Sequence, residues 1–143
     1  MKRAFIDTNI PMYWGGKDSE HKKHCGDVLE RIAREEFEGL TSSEVLQEII
    51  YRFWAVKDMG TGQRIFDEFR SLIHYVLPVT DVDVCLARGL SEKYSCGPRD
   101  LLHAAVMRGN DVDVIISVDK HFDLIDGLRR VEPSGVSEWL SEQ

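Results

Sequence analysis

The sequence predicts an α/β sandwich in which a parallel sheet carries helices on both faces. Short apolar runs alternate along the chain with segments whose apolar residues follow helical spacing, and the connections between them are short. This alternation is typical of a parallel sheet. The length of 143 residues is that of one domain, and no repeat or low-complexity linker divides it. We therefore expect residues 1–143 to form a single domain.

Five short segments are predicted as strands. The first, Lys2 to Asp7, is an apolar run that ends in an acid, and Val112 to Val118 has the clearest strand pattern. The other three are shorter: Glu38 to Ser42, Tyr75 to Val79 and Arg129 to Val131.

Helices are predicted from capping residues and from apolar spacing. Thr8 and Asn9 before Pro11 begin a helical turn, and Pro98 begins a helix that ends near Gly109. A helix capped by Asp18 is predicted to reach about Phe37 and to close at Gly39, and the next helix is predicted over Glu44 to Lys57. After a break at Met59 to Gly62, a helix is predicted around Ile65 to Ile73, followed by one from Thr80 or Asp81 to about Tyr94. A turn at Lys120 to Ile125 and a last piece through Trp139 and Leu140 complete the predicted helical segments.

Charge and composition exclude several classes of protein. With 18 basic and 25 acidic residues the net charge is −7, which argues against a protein that coats nucleic acid through bulk positive charge. A polyanion must then bind locally or through cations. The three cysteines show no paired spacing, and neither a signal peptide nor a spanning segment is evident. We expect a cytoplasmic protein with no membrane segment.

Four acids occupy positions at which parallel α/β folds collect ligands. Asp7 and Asp119 follow predicted strands, whereas Glu44 and Asp100 lie in first turns of predicted helices. Crowded carboxylates repel one another unless a cation lies between them, and their oxygens favour Mg²⁺ or Mn²⁺. Such ions can activate a water and stabilise the leaving oxygen of a phosphodiester. Metal-dependent phosphodiester hydrolysis is the predicted chemistry.

Each acid also has an ordinary structural explanation. Glu44 fits a capping box in Thr41-Ser42-Ser43-Glu44, in which it would only accept a backbone hydrogen bond. Asp100 would complement a helix dipole. The position of Asp7 favours a functional role, because burying an unpaired carboxylate directly after a buried strand costs free energy.

The segments around these acids resemble PIN-domain ribonucleases, in particular the toxin component of VapBC toxin–antitoxin pairs. The segments are Phe5-Ile6-Asp7-Thr8-Asn9, Ser43-Glu44-Val45-Leu46, Pro98 to Ala105 and Ser117 to Asp123. The resemblance covers roughly residues 2 to 132. It implies a three-layer α/β/α sandwich around four or five parallel strands, a homodimer, and RNA cleavage that depends on Mg²⁺ or Mn²⁺.

The resemblance assigns the catalytic role to Asp7, Glu44, Asp100 and Asp119. Direct metal ligation is expected above all from Asp7, Asp100 and Asp119, with Thr8, Asn9, Ser117 and Asp123 as supporting polar groups. Asp119 directly follows a strand and Asp123 lies one turn further on, so Asp119 is the preferred ligand of the two.

Other residues near the four motifs have open roles. Arg99 and Lys120 each adjoin a proposed ligand and could contact a phosphate. Tyr13 and Trp14 could stack on bases, although core packing or a dimer contact explains them as well. His103 is expected to pack in the core with its ring hydrogen-bonded.

The preferred function is a metal-dependent endoribonuclease that acts as a toxin and is held inactive by a small antitoxin. The wide apolar face of Glu44 to Lys57 predicts contacts with other chains, both a homodimer and a helical antitoxin. One alternative is a phosphatase with Asp7 as nucleophile, which the Asn at position 9 disfavours. Another is a PIN-like RNA-processing or assembly protein with no toxin role, which could lack catalysis.

Overall fold

A computed structural model describes the chain from Met1 to Gln143 and contains one five-stranded sheet, parallel throughout. The strands are β1 (Arg3–Ile6), β2 (Glu38–Ser42), β3 (Tyr75–Leu77), β4 (Val114–Ile116) and β5 (Arg129–Val131). Their order across the sheet is β3-β2-β1-β4-β5. The predicted parallel α/β fold is confirmed.

Seven α-helices flank this sheet. They are α1 (Asn9–Gly15), α2 (Lys22–Ala33), α3 (Ser43–Ala55), α4 (Met59–Leu72), α5 (Asp81–Leu90), α6 (Pro98–Gly109) and α7 (Val136–Ser141). In β1, Ala4, Phe5 and Ile6 are all fully buried. Because successive strand residues point to opposite faces, both faces of the central strand are covered. None of the helices combines the length and the hydropathy that a bilayer crossing requires.

Helix α2 is shorter than the sequence predicts. It begins at Lys22, after His21, so the predicted cap at Asp18 is wrong. At its other end the chain turns at Glu35, whose φ is 60°, and Gly39 belongs to β2. The tight turn ends the helix before the residues that the apolar spacing included.

Helix α4 begins earlier than predicted, because Gly60 and Gly62 lie inside the helix and do not break it. Asp58 caps it by accepting a hydrogen bond of 3.4 Å from the backbone N–H of Thr61. A Cβ on Gly62 would lie only 2.6 Å from the Cβ of Phe53 in α3. The missing side chain thus lets α3 and α4 pack closely.

The capping signals of the later helices are confirmed. Thr80 and Asp83 form a reciprocal capping box at the start of α5, which ends at Leu90, before the predicted Tyr94. Pro98 is the first residue of α6, and that helix ends at Gly109 as predicted.

The strand order reverses beside β1. From β1 the chain first adds β2 and β3 on one side, and later adds β4 and β5 on the other. Open parallel sheets bind ligands beyond the carboxyl ends of the strands at this point. The residues after β1 and β4 are therefore the first place to examine for a functional site.

Candidate active site

A cavity of about 450 Å³ lies beyond the ends of β1 and β4, and no hydrophobic residue lines it. Four of the residues that line it are acids, each from a different part of the chain: Asp7 after β1, Glu48 in α3, Asp100 in α6 and Asp119 after β4. The other lining residues are Thr8, Asn9, Arg52, Gly97, Pro98, Arg99 and His103. The structure thus brings three of the four predicted acids together and adds a fourth.

Asp7 is held by hydrogen bonds from three neighbours. Its Oδ2 accepts from the Oγ of Ser117 at 2.6 Å and from the Nδ2 of Asn9 at 3.1 Å, and its Oδ1 accepts from the backbone N–H of Thr8 at 2.8 Å. Ile6 of β1 pairs with Ile116 of β4, so the next residues, Asp7 and Ser117, emerge side by side. The register of two parallel strands therefore fixes this carboxylate.

Two acids of the cavity bind protons more tightly than usual. Burial raises the pKa of Asp7 to about 6, although the hydrogen bonds from Ser117 and Thr8 oppose the increase. Burial, followed by the charges of Asp119 and Asp7, raises the pKa of Asp100 to about 6. The crowded carboxylates destabilise one another when ionised, and a divalent cation between them would reverse that effect.

Asp119 and His121 stand beside Asp100 at the rim. Asp119 caps the 3₁₀ turn Lys120–Leu124, and its Oδ1 accepts a hydrogen bond of 2.9 Å from the backbone N–H of His121. The Nδ1 of His121 lies 3.0 Å from that oxygen and 3.8 Å from the Oδ2 of Asp100. One ligand atom from each of the three lies within 4.8 Å of the others, a spacing compatible with a single ion.

Glu48 is the acid that the sequence reasoning missed. Its side chain is only 4% exposed, and its Oε1 accepts a hydrogen bond of 2.9 Å from the Oγ1 of Thr8. Its Oε2 lies 3.0 Å from the Nε of Arg52 and 3.3 Å from a terminal nitrogen of Arg99. A signal was present, because Glu48 interrupts the apolar face of a helix, and a buried carboxylate needs partners.

Glu44, the acid predicted for this position, is absent from the lining of the cavity. Its Oε1 lies 3.5 Å from the Nε of Arg99. The capping box that was its ordinary explanation does not form either, since Ser42 caps α3 and accepts from the N–H of Val45 at 3.3 Å. One helical turn separates Glu44 from Glu48, and that turn decides which of them faces the acids.

Three other predicted site residues are absent from the lining: Ser117, which is buried and donates to Asp7, Asp123 and Lys120. Asp123 pairs with the guanidinium of Arg130 through contacts of 3.0 and 3.2 Å, and Arg130 in turn donates to the carbonyl of Ser117 at 3.0 Å. Lys120 is exposed and is absent from the lining. Of the two predicted phosphate contacts, only Arg99 lines the cavity.

His103 forms the floor of the site. It is buried against Phe5, with ring centroids 5.4 Å apart, and its Nδ1 has no hydrogen-bond partner. Burial lowers its pKa to about 4, so the ring is neutral near pH 7. The expected packing role is thus found without the expected hydrogen bond at Nδ1.

Comparison with known proteins defines the class of protein. The PIN-domain family model matches residues 4–128. The chain is 36% identical over 127 residues to ribonuclease VapC13 of Mycobacterium tuberculosis, an alignment that covers 88% of this chain and 97% of the relative. The chain therefore belongs to the PIN-domain family. Within that family it groups with the VapC ribonucleases.

Solved structures have the same fold. VapBC2 of Rickettsia felis, bound to a DNA fragment of its promoter, superposes with a TM-score of 0.71 at 22% identity and covers 91% of this chain and 98% of its own. DNA-bound VapBC of Salmonella typhimurium superposes with a TM-score of 0.72 at 19% identity and covers 93% of this chain and 99% of its own. At these identities the structures support the fold alone.

Proposed function

We propose that this protein is a metal-dependent endoribonuclease and the toxin of a VapBC-type toxin–antitoxin pair. The observation that carries the proposal is the convergence of Asp7, Glu48, Asp100 and Asp119 on one polar cavity at the reversal of strand order. Membership of the PIN-domain family and the ribonuclease relative support it.

The same four acids fit a divalent cation. Carboxylate oxygens are the ligands that Mg²⁺ and Mn²⁺ prefer, and the raised pKa values of Asp7 and Asp100 come from burial and crowding that a cation would offset. We propose Mg²⁺ or Mn²⁺ as the cofactor, with Glu48 in the role that the sequence assigned to Glu44. A bound ion of this kind supplies an activated water and stabilises charge on the phosphate.

The other residues of the cavity hold the acids and attract the RNA. Ser117, Asn9 and Thr8 orient Asp7, and Thr8 also orients Glu48. Arg52 and Arg99 are the cations of the lining, and both touch Glu48. In a chain of net charge −7, a phosphate needs such local cations to approach the acids. We propose that these two arginines contact the RNA backbone.

Cleavage of RNA by the purified protein tests the proposal. We expect Mn²⁺ or Mg²⁺ to support endonucleolytic cleavage, and EDTA to abolish it. Asp100→Asn should be inactive, whereas Asp67→Asn, which changes an exposed acid in α4 with no ion pair, should keep the activity. Metal-independent cleavage would contradict the proposed role of the acids as metal ligands, and no cleavage of any RNA would favour the assembly role.

We propose that the antitoxin binds the exposed side of α3. In that helix Val45, Ile49 and Phe53 are buried, but Trp54 is 64% and Tyr51 48% exposed. The same helix carries Glu48 and Arg52 into the cavity, so a chain bound along α3 is well placed to block the site. Proteins with this fold have been solved as VapBC complexes and as a toxin–antitoxin complex, and we extend a partner of this kind to the present chain as part of the proposal.

We assign the homodimer contact to a second apolar patch, on α5. Val82 and Leu86, four residues apart on one side of this helix, are 74% and 37% exposed, and Val84, which is 52% exposed, lines the neighbouring groove between α5 and α6 with residues such as Ala87 and Leu102. Exposed apolar residues on one helix face indicate contacts with other chains. An RNA substrate also implies a cytoplasmic location, which we propose for this protein.

A further inference from the structure

A second, smaller cavity adjoins the acidic one. Its volume is about 280 Å³, and four residues line it: Asn9, Met12, Tyr13 and Arg52. Asn9 and Arg52 also line the acidic cavity, so the two spaces meet along these side chains. A molecule in the acidic cavity therefore lies beside two of the side chains that line the smaller one.

The wall that the cavities share is fixed by hydrogen bonds. The Nδ2 of Asn9 donates to Asp7 and to the Oγ of Ser117, each at 3.1 Å. The Nε of Arg52 donates to Glu48 at 3.0 Å, while 56% of the arginine side chain remains exposed. The guanidinium thus stands between the two cavities with donors available to a phosphate.

Tyr13 supplies an aromatic surface to the smaller cavity. Its ring packs on that of His21, with centroids 4.8 Å apart and planes inclined by 49°. The contact restricts the ring before any ligand arrives, which lowers the entropy cost of stacking. The phenolic oxygen makes no hydrogen bond within the protein and so is available to a ligand. Tyr13 and Trp14, the two aromatic residues singled out in the sequence, both pack partly against the core, but Trp14 lines neither cavity.

We propose that this smaller cavity binds one unpaired nucleobase of the RNA, stacked on Tyr13, next to the phosphate that is cleaved. The inference rests on the proposed ribonuclease function and adds a specificity subsite to it. Flexible single strands are recognised by bases that leave the stack and lie on aromatic rings. The cavity offers such a ring, an apolar neighbour in Met12, and a cation at the junction with the acids. A nucleotide complements this arrangement, because its aromatic base can stack on Tyr13 while its anionic phosphate contacts Arg52.

The test combines base removal with removal of the ring. A short RNA with one mapped cleavage site is prepared with an abasic nucleotide at each position around that site. For the wild-type protein we expect one adjacent position at which base removal raises KM by about 5- to 100-fold, the effect of losing one stacked base. On the intact RNA, Tyr13→Ala should raise KM by a similar factor, and for this variant removal of the base at that position should cause no further increase in KM. Tyr13→Phe keeps the ring and should therefore retain most of the binding.

A control variant and a binding measurement separate this role from a structural one. Tyr75→Ala removes an exposed tyrosine of β3 that lines neither cavity and should leave KM unchanged. If Tyr13→Ala does not fold, Tyr13→Leu replaces it, because leucine retains apolar bulk without the ring. In the inactive Asp100→Asn protein, 2-aminopurine at the sensitive position should be quenched on binding, and the quenching should be lost with Tyr13→Leu.

The outcomes are distinct. The wild-type protein could cleave RNA while the increases in KM caused by base removal and by Tyr13→Ala multiply at every position. In that case no base contacts Tyr13, so the proposed subsite is wrong and the proposed ribonuclease function is unaffected. If Tyr13 variants lose antitoxin binding with KM for RNA unchanged, the cavity receives a protein side chain and the proposal also fails. If the wild-type protein cleaves no RNA, the proposed function itself fails.

Discussion

Thr8 and Glu48 are joined by a hydrogen bond of 2.9 Å between the hydroxyl of Thr8 and the carboxylate of Glu48, 40 residues apart in sequence. Thr8 directly follows Asp7, a proposed metal ligand, and its backbone N–H donates a hydrogen bond to the carboxylate of Asp7. One residue thus positions two acids from different parts of the fold, one directly after β1 and one in α3. This connection supports the proposal that Glu48, and not Glu44, is the acid of α3 that acts together with Asp7.

Exchanging the two glutamates for glutamine tests this assignment. We expect Glu48→Gln to lower RNA cleavage more than about 100-fold, because loss of a direct ligand should exceed the 10- to 100-fold cost of losing a supporting group. Glu44→Gln should lower cleavage less than about 10-fold, since it removes only the contact with Arg99. Initial rates at saturating Mn²⁺ measure both effects, and the reverse ranking would return the role to Glu44.

Asp100→Asn should stabilise the metal-free protein at pH 7. Asp100 accepts no hydrogen bond in the structure, so the substitution removes repulsion from Asp119 and Asp7 and the cost of a buried charge, against the loss of a smaller attraction to His121. We expect the melting temperature in EDTA to rise by about 2–5 °C. Asp7→Asn is the contrast, because its new amide would face the donors of Ser117 and Asn9, and no increase is expected. A lower melting temperature for Asp100→Asn would make Asp100 structural.

The stability of the metal-free protein should fall as the pH rises from about 4 to about 6. The pKa of Asp100 is 3.8 in the unfolded chain and about 6 in the folded protein, so in this interval the unfolded chain releases the proton first. This favours unfolding, by on the order of 1–2 kcal/mol for a partly exposed carboxyl. Urea unfolding in EDTA at pH 4, 5, 6 and 7 should show the decrease in the wild-type protein and a smaller one in Asp100→Asn. If the free energy of unfolding fell equally with pH in both proteins, the raised pKa of Asp100 would be contradicted.

The elements of the fold could be predicted because local sequence determines most of them. Pro98 fixes the start of α6, and Thr80 with Asp83 caps α5. The errors occurred where tertiary contacts override local preference. Gly62 resembles a helix breaker, but the contact with Phe53 makes glycine the residue that fits inside α4.

The candidate site was predictable where acids follow strands. Asp7 and Asp119 follow β1 and β4, and the topology of a parallel sheet brings such residues together. Acids on helices are harder to place, because two acids four residues apart lie on the same face, and their position along the helix axis decides which of them reaches the cavity. His121 was not predicted either, since its proximity to Asp100 depends on a 3₁₀ turn that begins after Asp119.

Charges placed on the two apolar patches should separate the partners. Trp54→Glu adds a charge to the exposed side of α3 and should weaken inhibition by the antitoxin at least about 10-fold while cleavage of RNA remains. Val82→Glu adds one to α5 and should shift the protein from dimer to monomer. Titration of the antitoxin against cleavage measures the first effect, and sedimentation measures the second. If Trp54→Glu alone produced monomers, α3 would be the dimer contact.

Asp119 and Asp123 should respond differently to added Mn²⁺. The carboxylate of Asp119 lines the cavity, where its neighbours are Asp100 and His121, whereas that of Asp123 pairs with Arg130. Asp119→Asn removes a proposed ligand, so we expect binding of Mn²⁺ to be weakened more than about 100-fold and cleavage not to return at high concentrations of the ion.

Asp123→Asn should act through Arg130. That arginine is only 9% exposed and also donates to the carbonyl of Ser117, the residue whose hydroxyl holds Asp7. Loss of its Asp123 partner loosens this support, and Glu132, 2.6 Å from Arg130, retains part of it. We therefore expect a moderate loss of cleavage, within about 100-fold, that added Mn²⁺ reverses in part because the ligands themselves remain. Isothermal titration with Mn²⁺ and rates on one RNA for both variants measure the difference. If Asp123→Asn lost Mn²⁺ binding completely and Asp119→Asn did not, the ion would be bound by Asp123 after rearrangement of the Arg130 pair.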